Sequence, residues 1–330
     1  MEMKKIRSAA AILSALMLSG CAVSGSSSVQ PPAESQPTAE STSAVTSEAG
    51  KPSADSDDVY VVDGYASKLN YPLDEKSVEY AAMRFGYVYE KYLKDSCDSI
   101  YVSVIPDKNY FLAGQNGYPS IDYPELTSLL VDKMDYAEYI DIYPLLELSD
   151  YYRTDTHWRQ EKITDVAERI ASAMGVTLSW EYTQETLDVP FYGVHCRQSD
   201  IDIEPDTLVY LDNSQLSECR VCDAETSSYS DVYNMDLASG DDPYAIFLSG
   251  AKSLLTIENP NASTDRELVI FRDSFACSLA PLLAEGYSKI TLVDIRYLMP
   301  ELLGRFVDFH GQDILFLYST LVINNSATIK

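Results

Sequence analysis

Apolar residues recur along the chain with two different spacings, and each spacing predicts a different element. From Ile163 to Met174 they follow the i, i+3, i+4, i+7 spacing of one helix face, and Gly175 ends the run, so we predict an amphipathic helix there. Short continuous apolar runs predict buried strands at 254–257, 268–271, 290–294 and 314–318. Strands separated by helical stretches predict an α/β domain with a mostly parallel sheet covered by helices on both faces.

The first half of the domain has a weaker pattern. Three segments rich in apolar residues are predicted as strands, at 99–105, 139–143 and 208–211. Residues 146–158 have no regular period, and we predict an irregular loop. Residues 212–242 are rich in Asp, Ser and Cys, and we interpret them as an acidic insertion or cover on the domain.

The N-terminus has the parts of an export signal. Three basic residues among the first seven precede an apolar run, 9–18, that is too short to span a bilayer. Small residues then precede Cys21, an arrangement that resembles a bacterial lipobox, whose cysteine is lipidated. We predict a lipoprotein signal peptide over residues 1–20 and a lipid anchor at Cys21. The alternative is an ordinary cleavable signal followed by a chance cysteine.

Composition separates a tether from a folded region. Residues 22–57 contain no aromatic residue and are rich in Ser, Ala, Glu, Pro and Thr, a composition that cannot bury enough apolar surface to fold. All 25 tyrosines lie at position 60 or later. We therefore predict a lipidated cysteine with a flexible linker over 21–57. The folded domain is predicted over 58–330, outside the cell and held at the outer face of the bacterial cytoplasmic membrane.

Charge and cysteine content exclude several classes of protein. The formal net charge of −27 argues against a nucleic-acid partner, because phosphate binding needs clustered Lys and Arg. Five cysteines follow Cys21, and an odd number in an exported chain excludes full internal pairing, so we predict no disulfide scaffold. Cys219 and Cys222 have the spacing of a redox pair or half a zinc site. Without a second such pair, we interpret them as small buried residues.

Two short segments carry the side chains of a serine nucleophile system. Asp155 and His157 are one residue apart, so one loop can present both. Ser274 follows the predicted strand 268–271 and precedes an apolar helical stretch, which places it at the carboxyl edge of the sheet, where open α/β folds hold their sites. A serine hydroxyl needs an imidazole base and a carboxylate that orients the imidazole. We predict that Ser274, His157 and Asp155 form a catalytic triad.

Each of these residues also has a structural explanation. Ser274 could cap a helix, Asp155 could lie at a helix N-terminus, and His157 could donate to a nearby carboxylate without any catalytic role. A metal site formed by Asp155, His157 and either His195 or His310 is a further alternative. Its spacing is not that of a helical His-x-x-x-His pair, so we predict no metal. We also predict no cofactor, because the chain has no recognisable phosphate-binding loop.

The flanks of these residues resemble the DHHW family. Tyr151–Trp158 (YYRTDTHW) resembles the signature of that family, and Phe271–Ala276 (FRDSFA) with Val293–Tyr297 (VDIRY) resembles its C-terminal half. The family is similar to the SGNH-like enzymes that O-acetylate alginate and other exported glycans. The resemblance covers most of the predicted domain. It implies an SGNH-like three-layer α/β fold with a permuted motif order, in which Asp-x-His precedes the serine.

Three residues depart from the family pattern. Thr156 replaces the first histidine of the signature, Cys277 stands where an asparagine is expected, and Ala251 stands where the asparagine of a Gly-Gly-Asn segment is expected. The oxyanion hole should therefore rely on backbone N–H groups, and we expect those of Ser274 and Gly250 to contribute.

The triad and the resemblance together imply acyl transfer through an acyl-Ser274 intermediate to hydroxyls of an exported or cell-wall glycan, with acetyl as the expected group. The resemblance also implies that a multi-span membrane acyltransferase supplies the acetyl group. Tyr152 and Trp158 flank the predicted base and are predicted to contact the glycan, since amphipathic rings stack on sugars. The alternatives are a glycan acetyl esterase with the same triad, and a non-catalytic glycan-binding or assembly lipoprotein.

Overall fold

The structure, a computed structural model, describes residues 58–97, 99–199 and 201–330. The predicted signal peptide, the predicted linker and Cys21 lie outside the described residues. The strands are β1 Val59–Val62, β2 Tyr65–Lys68, β3 Ile100–Ile105, β4 Glu138–Tyr139, β5 Thr183–Phe191, β6 Asp206–Asp212, β7 Arg220–Asp223, β8 Ser228–Ser230, β9 Leu254–Glu258, β10 Glu267–Arg272, β11 Lys289–Val293 and β12 Asp313–Ser319. The helices are α1 Glu75–Val88, α2 Lys108–Asn116, α3 Tyr123–Val131, α4 Thr164–Ala173, α5 Val194–Gln198, α6 Ala276–Leu283 and α7 Thr320–Ile323.

One eight-stranded sheet, in the order β4-β3-β12-β10-β11-β9-β7-β8, organises the described residues. Strands β4, β3, β12, β10 and β11 are parallel neighbours, and β9, β7 and β8 extend the sheet through antiparallel pairs. Strands β10 and β12 are covered on both faces, which is why their sequences are continuous apolar runs. The predicted mostly parallel sheet is confirmed.

Two apolar cores lie on opposite faces of this sheet. Leu268 and Ile270 of β10 pack into the core that contains α4 and α6, whereas Val269 and Phe271 pack into the core that contains α1 and α3. Alternate residues of a strand point to opposite faces, so one short run supplies both cores. The chain is therefore a three-layer α/β fold, as the sequence pattern predicts.

Strand β10 is the point at which the strand order reverses. Helix α6 leads from β10 to β11 and packs on one face, whereas the connection from β11 to β12, which carries Leu303 and Val307, packs on the other. The connections that follow β10 and β11 at this edge of the sheet therefore lie on opposite faces, and such a switch point is where open α/β sheets form a crevice. Ser274 follows the carboxyl end of β10 directly.

Some predicted elements match the observed ones and others differ. The helix predicted from Ile163 is α4, and Gly175 follows it in the left-handed conformation, with φ of 72°. The strand predicted at 139–143 is shorter, because β4 pairs with β3 only at Glu138 and Tyr139. The acidic segment 212–242 contains β7 and β8, which continue the main sheet. No helix among the described residues is long and apolar enough to cross a membrane.

Candidate active site

A tight turn, residues 273–275, joins β10 to α6 and carries Ser274. Asp273 fixes this turn on two sides. Its Oδ1 accepts the Phe275 N–H at 3.1 Å, and its Oδ2 accepts the Ser319 N–H, at the end of β12, at 2.7 Å. Asp273 and Phe275 are buried, whereas Ser274 is partly exposed. The turn therefore presents one hydroxyl to solvent from an otherwise buried segment.

The three side chains of the predicted triad lie in one hydrogen-bonded row. Ser274 Oγ is 2.7 Å from His157 Nε2, and His157 Nδ1 is 2.5 Å from Asp155 Oδ1. Because Nδ1 faces the carboxylate, the hydrogen-bond network assigns the proton to Nδ1, which leaves Nε2 to accept from the serine hydroxyl. Asp155 Oδ1 also accepts the His157 N–H at 3.0 Å, and Oδ2 accepts the Val194 N–H at 2.7 Å.

The hydrogen bonds to Asp155 decide its charge. The carboxylate is almost completely buried, and burial alone raises its pKa. The electrostatic interaction with His157 and the N–H donors of His157 and Val194 outweigh burial, so the pKa of Asp155 lies well below its ordinary value. Asp155 therefore remains a carboxylate and can stabilise an imidazolium at His157.

Aromatic rings fix the orientation of His157. The imidazole stacks on Tyr244, with 3.9 Å between ring centroids and 7° between ring planes, and it also contacts the ring of Phe275, with 4.9 Å between centroids. The Tyr244 hydroxyl lies 2.9 Å from Ser278 Oγ in α6. Tyr244 could not be singled out from the sequence, because it lies far from either motif in a chain with 25 tyrosines.

A second layer of residues holds the Asp155 loop from behind. Asp206 Oδ2 accepts from both the N–H and the hydroxyl of Thr154, at 2.7 and 2.6 Å, and Thr154 Oγ1 in turn accepts the Gly193 N–H at 2.8 Å. A Cβ atom at residue 193 would lie 2.2 Å from Asp155 Cβ. Only glycine allows this approach of the two backbones.

A buried lysine lies under the same loop. Lys108 Nζ donates to the carbonyl oxygens of Tyr152 and Arg153, at 2.8 and 3.2 Å. Burial lowers its pKa to about 7, although Asp155 and Asp206 oppose the shift. The Lys108 amine therefore provides hydrogen-bond donors for the backbone carbonyl groups of a loop that has no regular secondary structure.

The histidines do not gather into a metal site. The N–H of His195 donates to the Thr154 carbonyl at 3.1 Å, and burial, with a smaller effect from Lys108, lowers the pKa of the His195 imidazole to about 3. His310 lies 3.9 Å from Glu267, the first residue of β10, and so at the sheet edge opposite Ser274. The described residues contain no group of three or more His, Cys, Asp or Glu side chains placed to hold a metal ion.

Tyr152 and Trp158 are buried, which corrects the prediction that they contact a glycan. Both side chains have 0% exposure, and a ring that stacks on a sugar needs an open face. Trp158 Nε1 donates to the Phe275 carbonyl at 3.1 Å and to Ser278 Oγ at 3.0 Å. Trp158 therefore joins the loop of His157 to the helix that follows Ser274. Tyr152 packs edge-to-face on Phe191.

The two N–H groups expected to stabilise the oxyanion, those of Ser274 and Gly250, differ in whether they already donate a hydrogen bond. Within the described residues, nothing accepts a hydrogen bond from the Ser274 N–H, so no internal acceptor competes with an oxyanion for it. The Gly250 N–H already donates to the Phe247 carbonyl at 3.0 Å, and the expectation for Gly250 is not met. The Gly250 carbonyl instead accepts from Cys277 Sγ at 3.4 Å.

No family model and no curated protein sequence matches the chain. Its fold matches a DHHW family protein from Eubacterium siraeum with a TM-score of 0.66 and 23% identity, over 82% of this chain and 93% of that one. Bacillus cereus PatB1, also solved with a sulfonyl adduct, matches with a TM-score of 0.63 and 17% identity, over 80% and 96%. The O-acetyltransferase domain of Pseudomonas putida AlgJ matches at 0.50 and 10%, over 81% and 92%.

These matches define the class of fold. The predicted resemblance to the DHHW family and to O-acetyltransferases of the alginate-acetylation type is confirmed at the level of the fold. The permuted motif order stays a prediction.

Proposed function

We propose that the protein is a serine-dependent acyltransferase that carries an acetyl group through Ser274 to a hydroxyl of an exported or cell-wall glycan. The observation that carries this proposal is the unbroken row from the Asp155 carboxylate through His157 to the Ser274 hydroxyl. The O-acetyltransferase domain of AlgJ, which has the same fold, supports acetyl as the group and O-acylation as the reaction.

The chemistry proceeds in two halves. His157 Nε2 takes the proton of Ser274 as Oγ attacks the acetyl carbonyl carbon, and the Ser274 N–H stabilises the oxyanion. His157 then gives its proton to the leaving group, and the acetyl ester of Ser274 remains. In the second half, His157 takes the proton of a sugar hydroxyl, whose oxygen attacks the acyl carbon. Collapse returns the proton to Ser274 Oγ and releases the acetylated sugar.

Water is the competing acceptor. Ser274 is partly exposed, so water can reach an acyl-enzyme when no glycan occupies the site. A glycan acetyl esterase with the same three residues is therefore the second candidate function. The two candidates differ only in which hydroxyl performs the second attack.

We further propose that the domain works outside the cell, tethered through a lipid on Cys21. The basic and apolar N-terminal residues and the aromatic-free segment 22–57 support this proposal. A multi-span membrane acyltransferase would then supply the acetyl group. The resemblance to the O-acetyltransferases of exported glycans implies such a supplier, because acetyl-CoA is confined to the cytoplasm.

A chromogenic acetyl ester, supplied with and without an acceptor oligosaccharide, tests the proposal. The wild type should hydrolyse the ester, and Ser274→Ala should lower turnover by about 10³-fold or more because the covalent nucleophile is lost. A fluorophosphonate probe should label Ser274 in the wild type. Ser214→Ala, which removes an exposed serine, is the matched control and should keep both turnover and labelling.

The products separate the candidates. Acetylated oligosaccharide supports the transferase, and free acetate alone supports the esterase. Undiminished turnover in Ser274→Ala, or labelling of a different residue, would contradict the triad. A folded wild type that neither turns over the ester nor reacts with the probe would favour a non-catalytic glycan-binding protein.

A further inference from the structure

Four tyrosines line a cleft of about 440 Å³ at the outer edge of the main sheet, beside the edge strand β4. They are Tyr110, Tyr123, Tyr139 and Tyr143. A cavity of this size falls within the range of about 300 to 1,000 Å³ that small-molecule sites occupy. The catalytic row does not use this cleft, so its tyrosines need a separate explanation.

The rings form a corner rather than a flat stack. Tyr110 is 42% exposed and stands nearly perpendicular to its neighbours, at 77° to Tyr123 and 89° to Tyr143, with centroids 4.9 and 5.3 Å away. An exposed tyrosine held in place by two others offers an apolar face at little entropic cost. The C–H face of a pyranose ring fits against such a surface.

The charged groups of the cleft are hydrogen-bond acceptors. Asp132 and Asp141 both line it, and no lysine or arginine does so among the described residues. Asp141 Oδ1 accepts the Tyr143 N–H at 3.1 Å, and the Asp141 side chain also hydrogen-bonds the Tyr139 hydroxyl, so a donor on a ligand would share or replace that contact. A suitable ligand therefore donates hydrogen bonds and carries no negative charge.

Direct contacts connect the cleft to the loop of His157. Tyr110 lies on α2, whose first residue, Lys108, donates to the carbonyl groups of Tyr152 and Arg153. Phe111, the residue after Tyr110, packs on Tyr151 with 5.6 Å between ring centroids. A ligand bound in the cleft would therefore contact a helix that directly supports the loop of His157.

We propose that this cleft is a subsite for the acceptor glycan, and that it binds uncharged or amino sugars rather than uronic acids. The inference rests on the proposed function. Sugar C–H groups would contact Tyr110, and sugar hydroxyl or ammonium groups would donate to Asp132 and Asp141. A uronate would meet two carboxylates in a protein of net charge −27, and like charges repel.

Calorimetric binding to the full chain carrying Ser274→Ala tests this without turnover. The probes are tetrasaccharides of N-acetylglucosamine, glucosamine and galacturonic acid, which are neutral, cationic and anionic. The neutral or the cationic probe should bind, and the anionic one should not. Tyr110→Ala should weaken binding about tenfold, whereas Tyr110→Phe, which keeps the ring, should retain it. Tyr80→Ala, at a tyrosine of similar exposure outside the cleft, is the control.

Three results would contradict the proposed subsite. Equal binding of the anionic probe, failure of both other probes, or an unchanged affinity in Tyr110→Ala would overturn the subsite. The ester assay on the wild type judges the catalytic proposal separately. If that assay fails while Tyr110-dependent sugar binding persists, the acyltransferase is wrong and the glycan cleft stands.

Discussion

At the residue scale, the position of Asp155 depends on a neighbour that lacks a side chain. Gly193 passes so close that any Cβ there would overlap both Cα and Cβ of Asp155. The next amide, that of Val194, donates to Asp155 Oδ2 at 2.7 Å. A residue larger than glycine must therefore displace the carboxylate, lose this hydrogen bond, or do both.

We predict that Gly193→Ala lowers kcat/KM for an acetyl ester by about 10²-fold, because a displacement of about 1 Å in a catalytic group costs on that order. Fluorophosphonate labelling of Ser274 should slow in parallel. Gly86→Ala is the matched control, since a Cβ at that helical position meets nothing within 4 Å. It should retain activity. Full activity in a folded Gly193→Ala protein would show that Asp155 tolerates the displacement.

The residues that carry the chemistry could be predicted from the sequence, whereas the residues that support them could not. Asp155, His157 and Ser274 have side chains whose chemistry is recognisable before the fold is known. Thr154 and Asp206, which form the layer behind them, are 52 positions apart; Thr154 lies within the YYRTDTHW segment but its side chain suggests no catalytic role, and Asp206 belongs to no motif. The error at Tyr152 and Trp158 has a related cause, because adjacency in sequence does not reveal which side of a loop is buried.

At the element scale, the strands that could be predicted from the sequence are the buried ones. Strands β9 to β12 are apolar on both faces, so each appears in the sequence as an uninterrupted run. Strand β5 is mostly exposed, with Phe191 as its only buried residue, and β8 is three residues long, so neither leaves a hydrophobic pattern. Their pairing comes from tertiary context rather than from local preference.

The acidic segment 212–242 does more than extend the sheet. Leu248, Ser249 and Gly250 follow it with three successive positive φ angles, of 54°, 60° and 78°. Left-handed backbone costs about 1 to 2 kcal/mol for each residue other than glycine, so the turn must be held by outside contacts. Val232 accepts the Leu248 N–H at 3.1 Å, and Asn234 Nδ2 donates to Ser249 Oγ at 2.9 Å. The segment thus fixes the turn that contacts α6 just after Ser274.

At the scale of the whole molecule, the buried Lys108 couples folding to pH. Its pKa is lowered from 10.5 to about 7 in the folded protein. Between these values the unfolded chain binds a proton that the folded protein does not, so the free energy of unfolding rises with pH across this window. Below about pH 7 both states are protonated, and the cost of burying the charge stays constant.

We predict that the free energy of unfolding of the wild type rises more steeply than that of Lys108→Met between about pH 7 and 9.5, a range that ends before the tyrosines of the unfolded chain ionise. Urea unfolding at matched pH values measures both slopes. Methionine keeps much of the side-chain volume and does not titrate. Parallel slopes would mean that Lys108 has the same pKa in both states.

The predicted signal peptide, Cys21 and linker lie outside the described residues, and we predict that they determine where the molecule works. If Cys21 is lipidated and residues 22–57 are the predicted linker, those 36 residues would hold the domain within a distance on the order of 33 Å from the bilayer. A net charge of −27 opposes adsorption to anionic lipid, so the lipid would be the only membrane attachment that the sequence predicts.

Cys21→Ser should therefore move the protein from the membrane fraction to the soluble fraction, because the lipid can no longer be attached. Cys222→Ser, which changes a partly buried cysteine of the folded domain, should stay with the membrane and serves as the control. Washing the membranes at high salt separates the two modes of attachment, since salt screens ionic contacts but does not extract an acyl chain. Salt-resistant membrane retention of Cys21→Ser would show that a second anchor exists. Release of the wild type by the same wash would show that Cys21 carries no lipid.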